Sequence, residues 1–319
     1  MKNKIISLFL LVLLSLTVIS CSHDVIFHDI ANEVKLVNPE INGNVYSIVP
    51  LNGKLYVENG SIYEKANPGS AHGWTNFSKP AGSSIIRLAS DADTLYAMDT
   101  NFDVYANQYS TSWSGWTKVA SGVLALFDNQ VMDNTAFTTT GRAAYITAGD
   151  ESVKKLNGTG TPSAETATDT FAATNDYIKA AASTDNGATT VFSSNSIFCA
   201  QGTNLYSIDY GNTTIRYSTN DGSTWTNGGS VDATAMSICP YGANLLIGTV
   251  DGYQISALSS AIPSSGYNSS TNAESLISNN RQIITIKAFG SAVYAGVISE
   301  TSTQYSKLWG YFGISWNYE

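Results

Sequence analysis

The stretch that decides the fold is Cys199-Ala-Gln-Gly202-Thr-Asn-Leu205-Tyr206, because the chain repeats it 40 residues later as Cys239-Pro-Tyr-Gly242-Ala-Asn-Leu245-Leu246. Each copy reads as a strand, a tight turn and a second strand. Short runs of alternating, β-branched and aromatic residues are broken by Gly or Asn where the chain must reverse.

The same register fits four more places: Val49 to Leu55-Tyr56, Ala89 to Leu95-Tyr96, Thr138 through Gly141 to Ala144-Tyr145, and Lys287 through Gly290 to Val293-Tyr294. Gly141, Gly202, Gly242 and Gly290 share one slot, where a hairpin turn needs positive φ. The anchors Leu55, Leu95, Ala144, Leu205, Leu245 and Val293 are spaced by 40, 49, 61, 40 and 48 residues. A third strand follows in each unit, as at Ser61–Tyr63 and Asp103–Tyr105. A fourth begins at an aromatic residue: Trp74, Trp116, Trp225, Tyr267 or Trp316, lying 19 to 23 residues after its anchor. Repeats of about 40–50 residues with several strands each are the signature of a β-propeller. The expected fold is therefore all-β, a propeller of six four-stranded blades. The 61-residue gap, with its low-complexity stretch 157–175, holds either a long loop or a degenerate seventh blade.

Composition agrees. Hydrophobic residues make up 43% of the chain, enough for a core, and charged residues only 13%, where about 25% is usual. The polar surface must come from Ser, Thr, Asn and Gly.

Upstream of the repeats, Lys2 and Lys4 precede an almost unbroken apolar run, Ile5–Ile19, the length of a signal-peptide core and short for a membrane span. Val18-Ile19-Ser20-Cys21 resembles the lipobox of bacterial lipoproteins. That resemblance implies a signal peptide over 1–20, diacylglycerol on the Cys21 sulfur, and acylation of the new amine with a fatty acid such as palmitate. More than one acyl chain on one residue gives stable anchoring. Residue 22 is Ser and not Asp, which in such families resembles cargo of the outer membrane, on a face left open. The expected organisation is 1–20 signal peptide, 21–43 lipidated tether and 44–319 propeller. Removing the two signal lysines leaves 16 − 2 = 14 basic against 25 acidic residues, a net charge near −11. Such a surface argues against nucleic acid or an anionic lipid face as partner.

Ser218-Thr219-Asn220-Asp221-Gly222-Ser223-Thr224-Trp225 resembles the Asp-box, S-x-D-x-G-x-T-W, of sialidase-type BNR propellers, with Asn220 in place of Asp. A degenerate copy keeps Ser183, Asp185, Gly187 and Thr189 but has Thr190 for the Trp. The resemblance implies a folding element, the turn between third and fourth strands. Its Asp or Asn binds nearby backbone N–H groups and its Trp packs between blades. It also implies that this rim lies away from the functional face.

The sialidase chemistry implied by that family needs three arginines, a Tyr–Glu pair and an acid/base Asp. The chain has four arginines, Arg87, Arg142, Arg216 and Arg281, without the family's pattern, and Arg216 belongs to the Asp-box strand. A two-carboxylate glycan hydrolase is the alternative reading. Asp91, Asp93 and Asp128 lie near the inner turns, where a carboxylate more often serves the turn itself. His23, His28 and His72 form no spaced metal set with Cys or carboxylates, and no cofactor motif is present. The Tyr residues that follow the anchors read as strand residues packed between blades, with a carbohydrate-stacking surface as the second reading.

The expected function is a non-enzymatic binding or scaffolding lipoprotein with an envelope protein or glycan as partner. Its face is expected to combine the inner turns Asn52–Gly53, Asp91–Asp93 and Gly242–Asn244 with the interblade loops. Trp225 is expected to be buried. Cys199 and Cys239 occupy the same slot in adjacent units, so their side chains point the same way rather than at each other. Two free, buried thiols are expected.

Overall fold

The computed structural model describes residues 41–319 except 129–142, 151–152, 165–183, 186–187, 190–195, 202–203, 210–212, 221–223, 266, 269–280, 300–305 and 314–315. The compact unit spans Ile41–Glu319, so Ile41–Gly43, expected in the tether, are part of it. Cys21 and residues 1–20, expected as the signal peptide, lie outside the described residues.

The strands form antiparallel meanders in which sequence neighbours are sheet neighbours. The first sheet is β1 (Ile48–Leu51), β2 (Lys54–Glu58), β3 (Ile62–Lys65) and β4 (Trp74–Phe77). The second is β5 (Ile85–Ser90), β6 (Thr94–Asp99), β7 (Val104–Gln108) and β8 (Thr117–Ala120). The third is β9 (Ala125–Asp128), β10 (Ala144–Thr147), β11 (Val153–Lys155) and β12 (Ser163–Ala164). A two-stranded hairpin, β13 (Thr184–Asp185) and β14 (Ala188–Thr189), precedes the sheet of β15 (Ser196–Gln201), β16 (Asn204–Asp209), β17 (Thr214–Ser218) and β18 (Thr226–Ser230). Next come β19 (Ala235–Tyr241), β20 (Asn244–Thr249) and β21 (Gly252–Ser259), with β22 (Ile262–Pro263) and β23 (Tyr267–Asn268) both pairing with β21. The last meander is β24 (Arg281–Phe289), β25 (Ala292–Ser299), β26 (Lys307–Tyr311) and β27 (Trp316–Tyr318); one parallel pair, Gly252↔Gln282 between β21 and β24, joins it to the preceding strands in a nine-stranded sheet.

The innermost strands pack in succession: β1 on β5, β5 on β9, β15 on β19, β19 on β24, and β24 back on β1. The chain is thus an all-β propeller, as the repeat predicts. All six anchors fall on second strands. β6 and β10 are buried at every position, because neighbouring sheets cover both faces, whereas the outer strands β8 and β18 bury none. Such strands read as continuous apolar runs rather than alternating ones.

The shared glycine slot is real where it is described. Gly242 (φ 58°) and Gly290 (φ 59°) sit in two-residue turns, flanked by the pairs Tyr241↔Asn244 and Phe289↔Ala292. One unit departs from the expected register. The strand paired with β10 on its inner side is β9, with Phe127 opposite Tyr145 where the repeat places Thr138, and residues 138–141 lie outside the described residues. The run Thr138-Thr139-Thr140-Gly141 has strand propensity followed by a turn residue, so it imitates the motif. Within Ala125–Asp128 the sheet buries Leu126 and Asp128 and partly covers Ala125 and Phe127.

The ring closes at the join of the first and last sheets. Ile41 N donates to Glu319 O (3.1 Å), Gly43 N donates to Ser306 O (3.1 Å), and Asn42 bridges Lys307. Residues 41–43 thereby continue the outer edge of β26 beyond β27.

Candidate functional site

A meander fixes which turns share an end. First and third turns emerge together, and second turns emerge opposite them with the connections between sheets. The sequence-based face, inner turns plus interblade loops, is therefore corrected: these two sets lie at opposite ends of the blades. The Ser218–Trp225 turn, a third turn, lies at the same end as Asn52–Gly53, Asp91–Asp93 and Gly242–Asn244. A contact demonstrates this directly in the second sheet, where Tyr109 N of the third turn donates to Asp93 O of the first (2.8 Å). We call this the hairpin end and its opposite the crossover end.

The hairpin end is built on tyrosines. Tyr56, Tyr96, Tyr145, Tyr206 and Tyr294, each one residue after an anchor, are the largest fully buried side chains described. The hydroxyls of Tyr96, Tyr206 and Tyr294 reach the next blade's third turn, while that of Tyr56 meets Glu64 on its own sheet. Tyr206 donates to Ala261 O (3.1 Å), Tyr294 donates to Pro68 O (2.5 Å), and Tyr96 accepts from Gly158 N (2.8 Å). This is the interblade packing expected for them.

The carboxylates at this end are engaged in the turns. Asp91 accepts from the Tyr96 hydroxyl (2.5 Å), Thr94 N (2.8 Å) and Asp93 N (3.1 Å). Burial raises the Asp91 pKa in spite of those donors. Asp93 accepts from Gln108 Nε2 (3.0 Å), and the buried Asp128 accepts from Ser90 N (3.4 Å). Asp91 and Asp128 are joined to the inner-strand turn as structural acceptors, the turn role anticipated for them.

Around the first and second sheets this end carries an aromatic cluster. Trp113 meets Phe77 (4.9 Å between ring centroids), Tyr109 (5.3 Å) and Tyr56 (5.9 Å), all near edge-on, and Trp116 meets Phe77 at 6.5 Å. Two polar pairs border it: Lys54–Glu64 (3.0 Å), with the Tyr56 hydroxyl 3.4 Å from Glu64, and Gln108–Asp93. Trp116 holds the repeat's aromatic slot. Trp113 holds none, stays only partly buried, and was not singled out by the repeat.

In the Ser218–Trp225 turn, Asn220 Oδ1 accepts from Thr224 N (2.9 Å) and from the Ser218 hydroxyl (2.9 Å), and Asn220 Nδ2 donates to Thr224 Oγ1 (2.9 Å). Gly222 lies outside the described residues. Trp225 is half-buried rather than buried, with the Arg216 guanidinium 5.8 Å from its ring centre. Its neighbour is that arginine, on the adjacent strand of the same sheet, which leaves part of the indole at the surface. Of the degenerate copy, Ser183 and Gly187 lie outside the described residues, while Asp185 and Thr189 belong to the β13–β14 hairpin, with Thr184 opposite Thr189 and Asp185 opposite Ala188.

Cys199 and Cys239 are free and buried. The Cys239 thiol accepts from Ala288 N (3.0 Å), and burial pushes its pKa up to about 11; burial also raises Cys199 well above the ordinary thiol value. These are not reactive nucleophiles. Arg87 and Arg281 lie on different inner strands, Arg87 donating to Tyr46 O (3.1 Å) and Arg281 lying 5.9 Å from the Trp309 ring centre. Arg142, His23 and His28 lie outside the described residues. His72 lies in the third turn of the first sheet, its backbone N–H donating to the Glu319 carboxylate (3.0 Å). No group of three His, Cys, Asp or Glu side chains placed to hold a metal occurs among the described residues.

At the crossover end, Glu58 is fully buried at the end of β2 and accepts from Tyr46 N (2.9 Å) and Ser47 N (3.1 Å). Burial pushes its pKa up to about 8, against the pull of the Arg87 cation and those donors.

Residues 1–131 match the TP013X lipoprotein family, a span holding the apolar run Ile5–Ile19, Cys21 and the first two sheets. No curated protein matches the chain. Similar solved structures include YCF48 from Cyanidioschyzon merolae (11% identity, 88% of this chain and 86% of that one, TM-score 0.44). A nidogen–laminin complex (12%, 82% and 95%, 0.48) and the RRP9 WD40 repeats (11%, 82% and 90%, 0.42) are also similar.

Proposed function

We propose that the chain is an envelope lipoprotein, acylated on Cys21, held in the outer membrane, whose propeller binds a partner without transforming it. The hairpin end is the recognition face and the partner is an envelope protein or glycan. The observation that carries this reading is Trp113. It is a partly exposed indole outside the repeat, held edge-on by three rings and bordered by the Lys54–Glu64 and Gln108–Asp93 pairs. A fixed aromatic face with polar groups at its margin suits both a sugar ring and a protein side chain. The hydrogen bonds centred on Asn220 support the Asp-box reading of Ser218–Trp225 as a blade-forming turn. We count six blades and regard the β13–β14 hairpin as the remains of a seventh.

The test is capture from the native envelope, with glycan arrays alongside. Trp113→Ala and Asp93→Ala should each weaken capture at least tenfold, with the melting temperature followed in parallel. Asn52→Ala, Asp91→Ala and Asn244→Ala extend the map across the first turns, while Gly242 is left intact because its φ is positive. Unchanged capture by folded variants would remove the hairpin end as the face. Turnover of a glycoside, abolished by one carboxylate substitution, would replace the binding reading by the hydrolase. Cys21→Ala should release the protein from membranes or leave it uncleaved.

A further inference from the structure

Two of the most exposed large apolar side chains described are neighbours. Phe102 is 51% exposed and Leu124 56%. Phe102 lies in the second turn of the second sheet and Leu124 in the connection to the third, and Val123 N donates to Phe102 O (3.0 Å). Phe102 has φ 61°, a conformation that a bulky side chain adopts only when its surroundings impose it. The surroundings do so here. Asp99, fully buried, accepts from Asn101 N (2.9 Å), Asp103 N (3.1 Å) and the Ser83 hydroxyl (3.0 Å), and Phe102 N donates to Asp99 O (3.0 Å). A clamped turn thus holds a phenyl ring out in solvent at a position where Gly or Asn would sit without strain.

Two lysines share this end. Lys118 pairs with Asp103 (2.6 Å), and Lys79 donates to Gly60 O (2.8 Å) in the second turn of the first sheet. The folded unit also begins here, since Asn42 and Gly43 meet Lys307 and Ser306, and Tyr46 and Ser47 meet Glu58. Cys21 is 20 residues before Ile41, a span of at most about 70 Å fully extended. Apolar tips flanked by lysines are the chemistry of a membrane interface. A short tether raises the local lipid concentration enough for a weak contact to be populated.

We propose that the crossover end of the second and third sheets docks on the surface of the anchoring membrane through Phe102 and Leu124, turning the hairpin end outward. This rests on the acylation of Cys21 proposed above. The net negative charge makes zwitterionic lipid the preferred surface.

The full-length lipoprotein is reconstituted in phosphatidylcholine vesicles, with a fluorescent label on Thr100→Cys beside the tip or on Thr111→Cys at the hairpin end. Cys199 and Cys239 are buried, so the introduced thiol takes the label. Flotation with the vesicles reports anchoring, and quenching by lipids carrying a quencher on the acyl chain reports contact. Quenching at position 100 should exceed that at 111 at least threefold. Phe102→Gly with Leu124→Ser should remove the difference while flotation persists. Phe102→Gly suits the positive φ, so folding is spared. Equal quenching at both positions with flotation intact would overturn the docking alone. Loss of flotation would overturn the anchoring and the docking with it. Cross-linking of position 100 to a protein in native envelopes, in place of lipid contact, would assign the tip to a protein partner and overturn the proposal.

Discussion

Lys65 Nζ lies 2.5 Å from Glu319 Oε2, with 1% and 0% of the two side chains exposed. The amine stands 5.2–5.7 Å from the ring centres of Trp74, Tyr294 and Phe312 and also donates to His72 O (2.5 Å). The carboxylate accepts further from Trp74 Nε1 (3.0 Å). The pair joins the first sheet to the last and so fastens the ring at its seam.

A buried pair with its lone pairs and protons satisfied is costly to break and cheap to replace whole. Removing one partner leaves a buried charge unpaired, at a cost of about 3–5 kcal/mol. Lys65→Met and Glu319→Gln should each lower stability by that order. The double variant Lys65→Met/Glu319→Leu should recover much of the loss. Urea unfolding of wild type, Lys65→Met, a Glu319→Leu single variant and the double variant closes the cycle. Additive losses would mean that the two groups act independently.

The interblade tyrosines predict a graded series. Tyr294→Phe removes one hydroxyl-to-carbonyl bond and should cost about 0.5–1.5 kcal/mol. Tyr294→Ala also removes the buried ring and should cost about 3–5 kcal/mol. Trp225→Ala should cost less than Tyr294→Ala, because its indole is half-buried against Arg216 rather than enclosed between sheets. Thermal unfolding ranks the three. An equal loss at Trp225 would show that the indole carries more of the packing than its exposure suggests.

The strand pairs around Gly242 and Gly290 were legible because a hairpin is local: a positive-φ residue between two apolar runs sets its own register. The tyrosines were legible through their fixed offset from the anchors. The register around Ala144 was not legible, because Thr138–Gly141 has the propensity and the glycine of a hairpin while the pairing of Tyr145 is with Phe127. A repeat alignment does not show that first and third turns leave a meander together, so it does not reveal that inner turns and interblade connections lie at opposite ends. Lys65 and Glu319 are 254 residues apart, and nothing local in either segment announces the other. Trp113, Phe102 and Leu124 are invisible to the repeat because they depart from it.

The thiols give a chemical check. In the native protein Cys199 and Cys239 should resist thiol reagents, since both are buried with raised pKa values. Unfolded without reductant, the chain acylated at Cys21 as proposed should present two thiols. Finding none would require a disulfide between positions that share a slot on adjacent inner strands.

Stability should fall as pH rises through neutrality, and Glu58 is the reason. Its pKa is about 8 in the folded chain and 4.5 when solvated, so the folded state holds the proton more tightly. The resulting stabilisation is complete below about pH 4.5. It is lost as pH rises toward 8, at up to about 1.4 kcal/mol per pH unit, and is flat beyond. The opposing groups around the carboxyl are the Arg87 guanidinium and the Tyr46 and Ser47 N–H donors, all of which favour the anion; burial outweighs them. Asp103, lowered by its hydrogen bond from Lys118, acts in a separate window, stabilising above about pH 4 and losing that contribution as pH falls further. Glu58→Gln should therefore flatten the urea-midpoint profile between pH 5 and 8 and leave its acid limb unchanged. The substitution should make the protein relatively more stable than wild type at pH 8 than at pH 5. A wild-type profile that is level or rising from pH 5 to 8, unaltered by Glu58→Gln, would mean that Arg87 and the two backbone donors hold the carboxyl ionised in the folded chain.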